Sequence, residues 1–364
     1  MNTRYVSTLM VCALALTGAL SLFGQTKVGG VLSGENRWDL AGSPYIVECD
    51  LLVPRFAHLT IDPGVKVLIN KQRYIPEKIA QFDALDSESI SIRVEGTLSC
   101  VGKGNKRVVF APQEVGDNRL GWYGVIFEKV NGKFNEIAFA DLTGAFNGIT
   151  ARECNPLVRN CVIEGNNIGV NCLANGSALV FNCIVTNNYE AGIRVQEANP
   201  HIANSIIFKN RNNGLWCDGA SKVTFEYNCV FGNRDGNFLD CDPRFGRLTR
   251  VTKAKDSVDA AWNFYRDPVF FGGEADSIAF AHDVMIPTDS SKVKNKRLAK
   301  MVQKKPRDSS FARYRKKTKP RYTLSRYSPC VNNGDPESAF RDADGSRNDI
   351  GLYGGPEFFA RGKE

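Results

Sequence analysis

Five residues in the middle of the chain carry the side chains best suited to hold a sugar: Trp216, Arg194, Asp218, Tyr189 and Glu190. An indole face packs against a pyranose ring, and a guanidinium pairs bidentately with a uronate. With Arg194 as base and Asp218 as metal ligand, the same set would support β-elimination of a uronate. The alternative for Trp216 is packing under a neighbouring loop. A second group, Asp342, Asp344, Ser346, Asn348 and Asp349, alternates oxygen-bearing residues with spacers around Gly345, as a calcium loop does. Calcium is the only cofactor that these residues point to. The run lacks the downstream Glu of an EF-hand, and its alternative role is a cap held by side-chain-to-backbone hydrogen bonds.

Other chemistries lack their residues. A hydrolase needs facing carboxylates, but no Asp-Asp pair occurs, and Asp218, Glu190 and Glu164 are isolated acids. His58, His201 and His282 are the only histidines, and no two cysteines stand at CxxC spacing, which argues against zinc. No catalytic residue can be named. Charge gathers in one place: residues 292–326 hold 15 Lys or Arg against Asp308 alone, so this stretch carries +14 and the rest of the chain −6, for an overall +8. It reads either as a solvated linker with a short basic helix or as a docking segment for an anionic polymer. Few aromatics interleave with that charge, which disfavours nucleic acid as a partner.

A repeat would position the sugar-binding candidates. Gly148, Gly169, Gly192 and Gly214 step by 21, 23 and 22 residues. Asn160-Cys161, Asn182-Cys183, Asn204-Ser205 and Asn228-Cys229 keep the same phase, as do Asn166, Asn188, Asn210 and Asn233. Short Val- and Ile-rich runs between Asn and Gly turns describe the coils of an all-β solenoid, with about 22 residues per coil. Stacking coils puts Ile149, Val170, Ile193 and Leu215 in one inward column and Ala151, Cys172, Val195 and Cys217 in another. Thr150, Asn171, Arg194 and Trp216 then form the outward column between them. Asn160, Asn182, Asn204 and Asn228 are expected to make an amide ladder, with the glycines taking positive φ at the bends. Cys161 and Cys183 would stack with parallel side-chain vectors, a poor disulfide geometry, so most cysteines read as small buried hydrophobes.

The flanking segments carry a family resemblance. Leu59-Thr60-Ile61-Asp62-Pro63-Gly64-Val65-Lys66-Val67, Ile92 to Leu98 and Gly121-Trp122-Tyr123-Gly124-Val125 resemble the opening coils of bacterial pectate-lyase-like β-helix proteins. Ser328-Pro329-Cys330 and Asp344 to Gly355 resemble the terminal signature of secreted β-helix repeat proteins. The resemblance implies a single-stranded right-handed parallel β-helix with short N- and C-terminal caps. It implies no one activity, since the superfamily holds lyases, hydrolases, epimerases and non-enzymatic surface proteins. Asp242-Pro243-Arg244-Phe245 and Asp267-Pro268-Val269-Phe270 also fit the pattern, but about fifty residues separate the second from the terminal signature, where the family has few.

Arg4 followed by the apolar run Val6 to Phe23 reads as a secretory leader cleaved near Gly24. The chain thus divides into a leader at 1–24, a β-helix at 25–273, a basic insertion at 274–321 and a capping segment at 322–364. The expected product is a monomer without a membrane span in its mature chain, at the cell surface, in the periplasm or outside the cell. It would bind polysaccharide or an anionic envelope polymer. The alternative is a polysaccharide lyase or glycoside hydrolase acting on uronate-containing chains, with its site on loops such as 70–90 or 250–265.

Overall fold

Apolar runs of three to six residues cannot bury themselves alone, so each must pair with the run one coil away. The computed structural model describes residues 25–70, 89–114, 120–130, 134–218, 220–239, 321–324, 330–342 and 344–356, together with Asn263, Pro268 and Ser328. The leader, the basic insertion apart from Arg321, and most of the two loops named above lie outside these residues. The described chain is a right-handed parallel β-helix, and each coil gives one strand to each of three faces. In one coil these are Asn147–Arg152, Leu157–Arg159 and Val162–Glu164; in the next, Ile168–Leu173, Leu179–Phe181 and Ile184–Thr186. They pair in parallel, coil to coil. The strand Tyr45–Val53 rounds a corner: residues 45–47 pair with 67–69, and 51–53 with 92–94. The first and third faces therefore join there into one sheet of 16 strands, and the second face is a separate sheet of eight.

Both expected inward columns are buried and in register. No two of the nine described cysteines are joined to each other, and all but Cys49 are buried, in keeping with their use as small apolar residues.

The asparagines sort differently from the sequence expectation. The ladder is built by Asn166, Asn188, Asn210 and Asn233, whose amides link successive coils at 3.1, 3.0 and 2.8 Å. The Asn188, Asn210 and Asn233 oxygens also accept the backbone N–H of the asparagine one coil before, at 3.0 to 3.1 Å, and Asn166 Oδ1 accepts that of Ala145 at 2.9 Å. The expected ladder of Asn160, Asn182 and Asn204 does not form. These three are left-handed, with φ from 50 to 53°, and the fourth left-handed position is Tyr227 rather than Asn228. Asn228 belongs instead to the column of Cys161, Cys183 and Ser205, since its oxygen accepts the Ser205 N–H at 3.0 Å.

The turn glycines also act through another cause than positive φ. A Cβ on Gly169 would lie 2.4 Å from the Gly192 carbonyl oxygen and 2.9 Å from Asn188 Nδ2, so the ladder and the next coil leave no room for a side chain. Positive φ falls directly after the third-face strands, at Gly144, Gly165, Asn187, Lys209 and Gly232. Lys209 is the misfit in that column, exposed and at φ 51°. Lys209→Asn should raise stability by about 0.5–1 kcal/mol, because asparagine tolerates this region better than lysine. Urea denaturation would measure it, and no gain would show that the strain is negligible.

The C-terminal segment lies along the flank of the helix, where the sequence led us to expect a cap on its last coil. Cys330, Ile350 and Leu352 pack on Val162, Ile184, Ile206 and Cys229, one apolar residue from each of four successive coils. The left-handed asparagines hold it there. Asn160 Nδ2 donates to the Leu352 and Gly354 carbonyls at 3.0 Å each. Asn182 Nδ2 lies 3.0 Å from Asn348 Oδ1 and 3.1 Å from the Asp349 carbonyl, and Asn204 Oδ1 accepts the Asp335 N–H at 2.7 Å. An αL residue turns its side chain away from the coil, so these amides face outward and capture the segment instead of one another.

Candidate functional site

The first face brings the sugar-binding candidates together as the repeat requires. Thr150, Asn171, Arg194 and Trp216 are successive partners in the strand register. Adjacent members are thus about 4.8 Å apart along the stack. The Arg194 guanidinium lies over the Trp216 ring at 5.2 Å, so one indole face is already covered by a cation–π contact. Arg194 Nη1 donates to Glu190 Oε1 at 3.1 Å and Nη2 to Gln196 Oε1 at 2.6 Å. Its fork is therefore occupied by the protein's own oxygens, which the sequence does not reveal. Glu190 also accepts from Asn167 Nδ2 at 3.0 Å. Tyr189 borders this strip at the corner, with the Arg211 guanidinium 4.1 Å from its ring centre. Two and three coils earlier, Phe146 and Tyr123 stack at 5.8 Å along the same corner.

Asp218 is near in sequence but spent on a turn. Its carboxylate accepts the backbone N–H of Glu197 at 2.6 Å and of Ser221 at 2.9 Å, and the Ser221 hydroxyl at 2.5 Å. Burial acts to raise its pKa, but the bonds from Ser221 and the Glu197 N–H outweigh it and hold the carboxyl below its ordinary range. An oxygen set committed to four local donors is a poor metal ligand, and its use as one in an elimination finds no support in this geometry.

Three polar side chains of the first face stand out because each buries an oxygen that has no hydrogen-bond partner. Asn147, Thr150 and Asn171 are 3, 4 and 4% exposed, yet Asn147 Oδ1, Thr150 Oγ1 and Asn171 Oδ1 have no hydrogen-bond partner, and neither does Arg194 Nε. A buried polar group left unpaired costs about 1–3 kcal/mol, so a row of three calls for an explanation. Sequence reading placed Thr150 and Asn171 in the outward column but had no means of seeing that they are buried and unpaired. It missed Asn147 altogether, as well as the acid that holds two further arginines of this face: Glu128 takes Arg93 Nη1 at 2.8 Å and Arg152 Nη1 at 3.7 Å.

The second candidate group lies in the flank segment. Asp344 Oδ1 accepts the Ser346 N–H at 2.9 Å and the Ser346 hydroxyl at 2.5 Å. Asp342 accepts the N–H groups of Gly355 at 2.6 Å and Asp349 at 3.1 Å, and Asp349 Oδ1 accepts the Asn332 N–H at 2.6 Å. Asn348 Oδ1 faces Asn182. These oxygens fold the loop back on itself, the alternative that its sequence left open. Among the described residues no three His, Cys, Asp or Glu side chains are grouped to hold a metal ion. Burial, with the nearby Asp349 and Asp344 charges adding to it, pushes the Asp342 carboxyl up to about 6.

The family described as "Right handed beta helix region" matches residues 114–241, the stretch that includes this strip. No curated protein and no solved structure matches the chain. Its period, its three parallel faces and that match agree on one architecture, the right-handed parallel β-helix.

Proposed function

We propose that this protein is exported through its apolar leader and binds a polysaccharide at the cell surface or in the envelope, along the first face of its β-helix. The observation that carries this reading is the outward column of Thr150, Asn171, Arg194 and Trp216, one polar or aromatic side chain per coil in register along the first face. A glycan presents hydroxyls at short regular intervals, which suits polar groups repeated once per coil. The aromatic corner of Tyr123, Phe146 and Tyr189 adds apolar surface beside the row.

Binding is favoured over catalysis because the two groups that an elimination would use are committed elsewhere. Arg194 has both terminal nitrogens bonded, and Asp218 is locked in its turn. No helix among the described residues is long and apolar enough to cross a membrane.

A glycan array read beside a screen for unsaturated and reducing-end products tests the proposal. The expected result is retention on at least one glycan class without turnover. Trp216→Ala, which removes the support under Arg194, should weaken retention about tenfold, on the order of 1–2 kcal/mol. Turnover of any glycan would favour the enzymatic alternative, and retention on none would end the binding reading.

A further inference from the structure

We infer that the N-terminal end of the β-helix is an interface with a second copy of this chain, the two stacked end to end through antiparallel pairing of the strand Glu35–Trp38 with itself. This stands apart from the glycan reading, which concerns the first face, and it departs from the monomer expected from sequence. The strand Thr26–Val31 pairs with Tyr45–Val53, and Glu35–Trp38 with His58–Ile61; among the described strands neither has a partner on its other side. Nothing shields this end from solvent. Val31 is 60% and Leu40 47% exposed, two of the five exposed large apolar side chains among the described residues. An open sheet edge beside apolar surface is a template for a further strand.

Backbone direction and charge together select the added strand. The Gly34 and Trp38 carbonyls accept the N–H groups of His58 and Asp62 at 2.9 Å, inside the stack. Peptide groups alternate along a strand, so those of Glu35 and Arg37 point out of the open edge. A second copy related by a two-fold axis through Asn36 sets Glu35 against Arg37 of the partner subunit, twice over. Both are then hydrogen-bonded pairs, with opposite charges side by side on the outer surface. The neighbouring registers that keep the same peptide groups opposed would set Glu35 on Glu35 or Arg37 on Arg37, and like-charge repulsion disfavours them. Within the chain Glu35 touches His58 and Arg37 touches Asp62, but the two side chains stay 81 and 72% exposed. Surface pairs of that kind hold weakly and leave both charges available across the edge.

Sedimentation velocity of the full mature chain at micromolar concentrations, in low and high salt, tests the inference. The expected result is a reversible dimer that weakens as salt is added. Glu35→Arg and Arg37→Glu each set like charges against one another across the two-fold axis, and each should raise the dissociation constant about tenfold. The double variant E35R/R37E restores opposite pairs between subunits and should return to within about threefold of the parent. Its contacts to His58 and Asp62 stay reversed, so a purely local structural effect would not be rescued. Trp216→Ala, on the first face, should leave the dimer unchanged. A monomer at every concentration would overturn the inference. So would a dimer indifferent to both single substitutions, or one that the double variant fails to restore.

Discussion

Replacing the buried Asn188 with alanine is expected to destabilise the β-helix by about 3–5 kcal/mol. The side chain makes four hydrogen bonds inside the coil stack. Its oxygen takes the Asn166 N–H at 3.0 Å and Asn166 Nδ2 at 3.1 Å. Its Nδ2 reaches the Ile163 carbonyl at 3.2 Å and Asn210 Oδ1 at 3.0 Å. Alanine would leave the Asn166 N–H and the Ile163 carbonyl buried and unpaired, and would open a void beside Gly169. In a solenoid each coil is held only by its neighbours, so the loss falls on one interface and uncouples the coils on either side. Denaturant unfolding should show both a lower midpoint and a broadened transition. Asn188→Asp should be worse than alanine at pH 7 and partly recover in acid, since a protonated carboxyl restores one donor. Asn167→Ala, at the adjoining half-buried position, should cost no more than about 0.5 kcal/mol. If both substitutions cost the same, the ladder is not what holds the coils in register.

The second large effect is expected at Asn182. Its Nδ2 group meets Asn348 Oδ1 at 3.0 Å and the carbonyls of Asp349 and Gly351 at 3.1 and 3.3 Å. Asn182→Ala should free the C-terminal segment locally, at about 2–3 kcal/mol, without unfolding the coils. Hydrogen exchange would show protection lost across 330–356 and kept in the strands of the first face. Loss of protection throughout would mean that the segment and the coils unfold as one unit.

The same segment should respond to pH. Asp342 is raised to about 6 in the folded state, from an ordinary value of 3.8, first by burial. Its protonated form is therefore favoured by folding, and the stability that it adds is present in acid and lost as pH rises through about 6. Asp349, raised by burial as well, acts in the same direction. Protection factors for 330–356 should be higher at pH 5 than at pH 7.5, by an amount that solvent screening keeps modest. Asp342→Asn should flatten the difference, and an unchanged pH dependence in that variant would place the cause elsewhere.

By itself the sequence determined the coil. Period, inward columns, strand alternation and the burial of the repeat's cysteines all follow from side chains that must stack on their counterparts one turn away. That constraint repeats every 22 residues or so, and repetition makes it readable. The pairing of Arg194 with Trp216 was legible for the same reason. The Asn ladder was only half legible. All three asparagine markers share one period, and only backbone geometry separates Asn188, whose amide points into the stack, from Asn182, whose αL conformation turns it out.

Tertiary structure alone decided the rest. The partners of Asn160 and Asn182 lie 192 and 166 residues further along the chain, beyond any local pattern. So do the contacts that place Ile350 and Leu352 on four coils at once. The first face changed its meaning for a related reason. A list of residues shows an arginine as a free cation and an aspartate as a free ligand. Geometry shows Arg194 bonded to Glu190 and Gln196, and Asp218 bonded within its own turn. The groups left without partners, Asn147, Thr150 and Asn171, are those whose residue types attract the least notice. Residue type reveals what a side chain can bond, but its surroundings determine whether that capacity is already used.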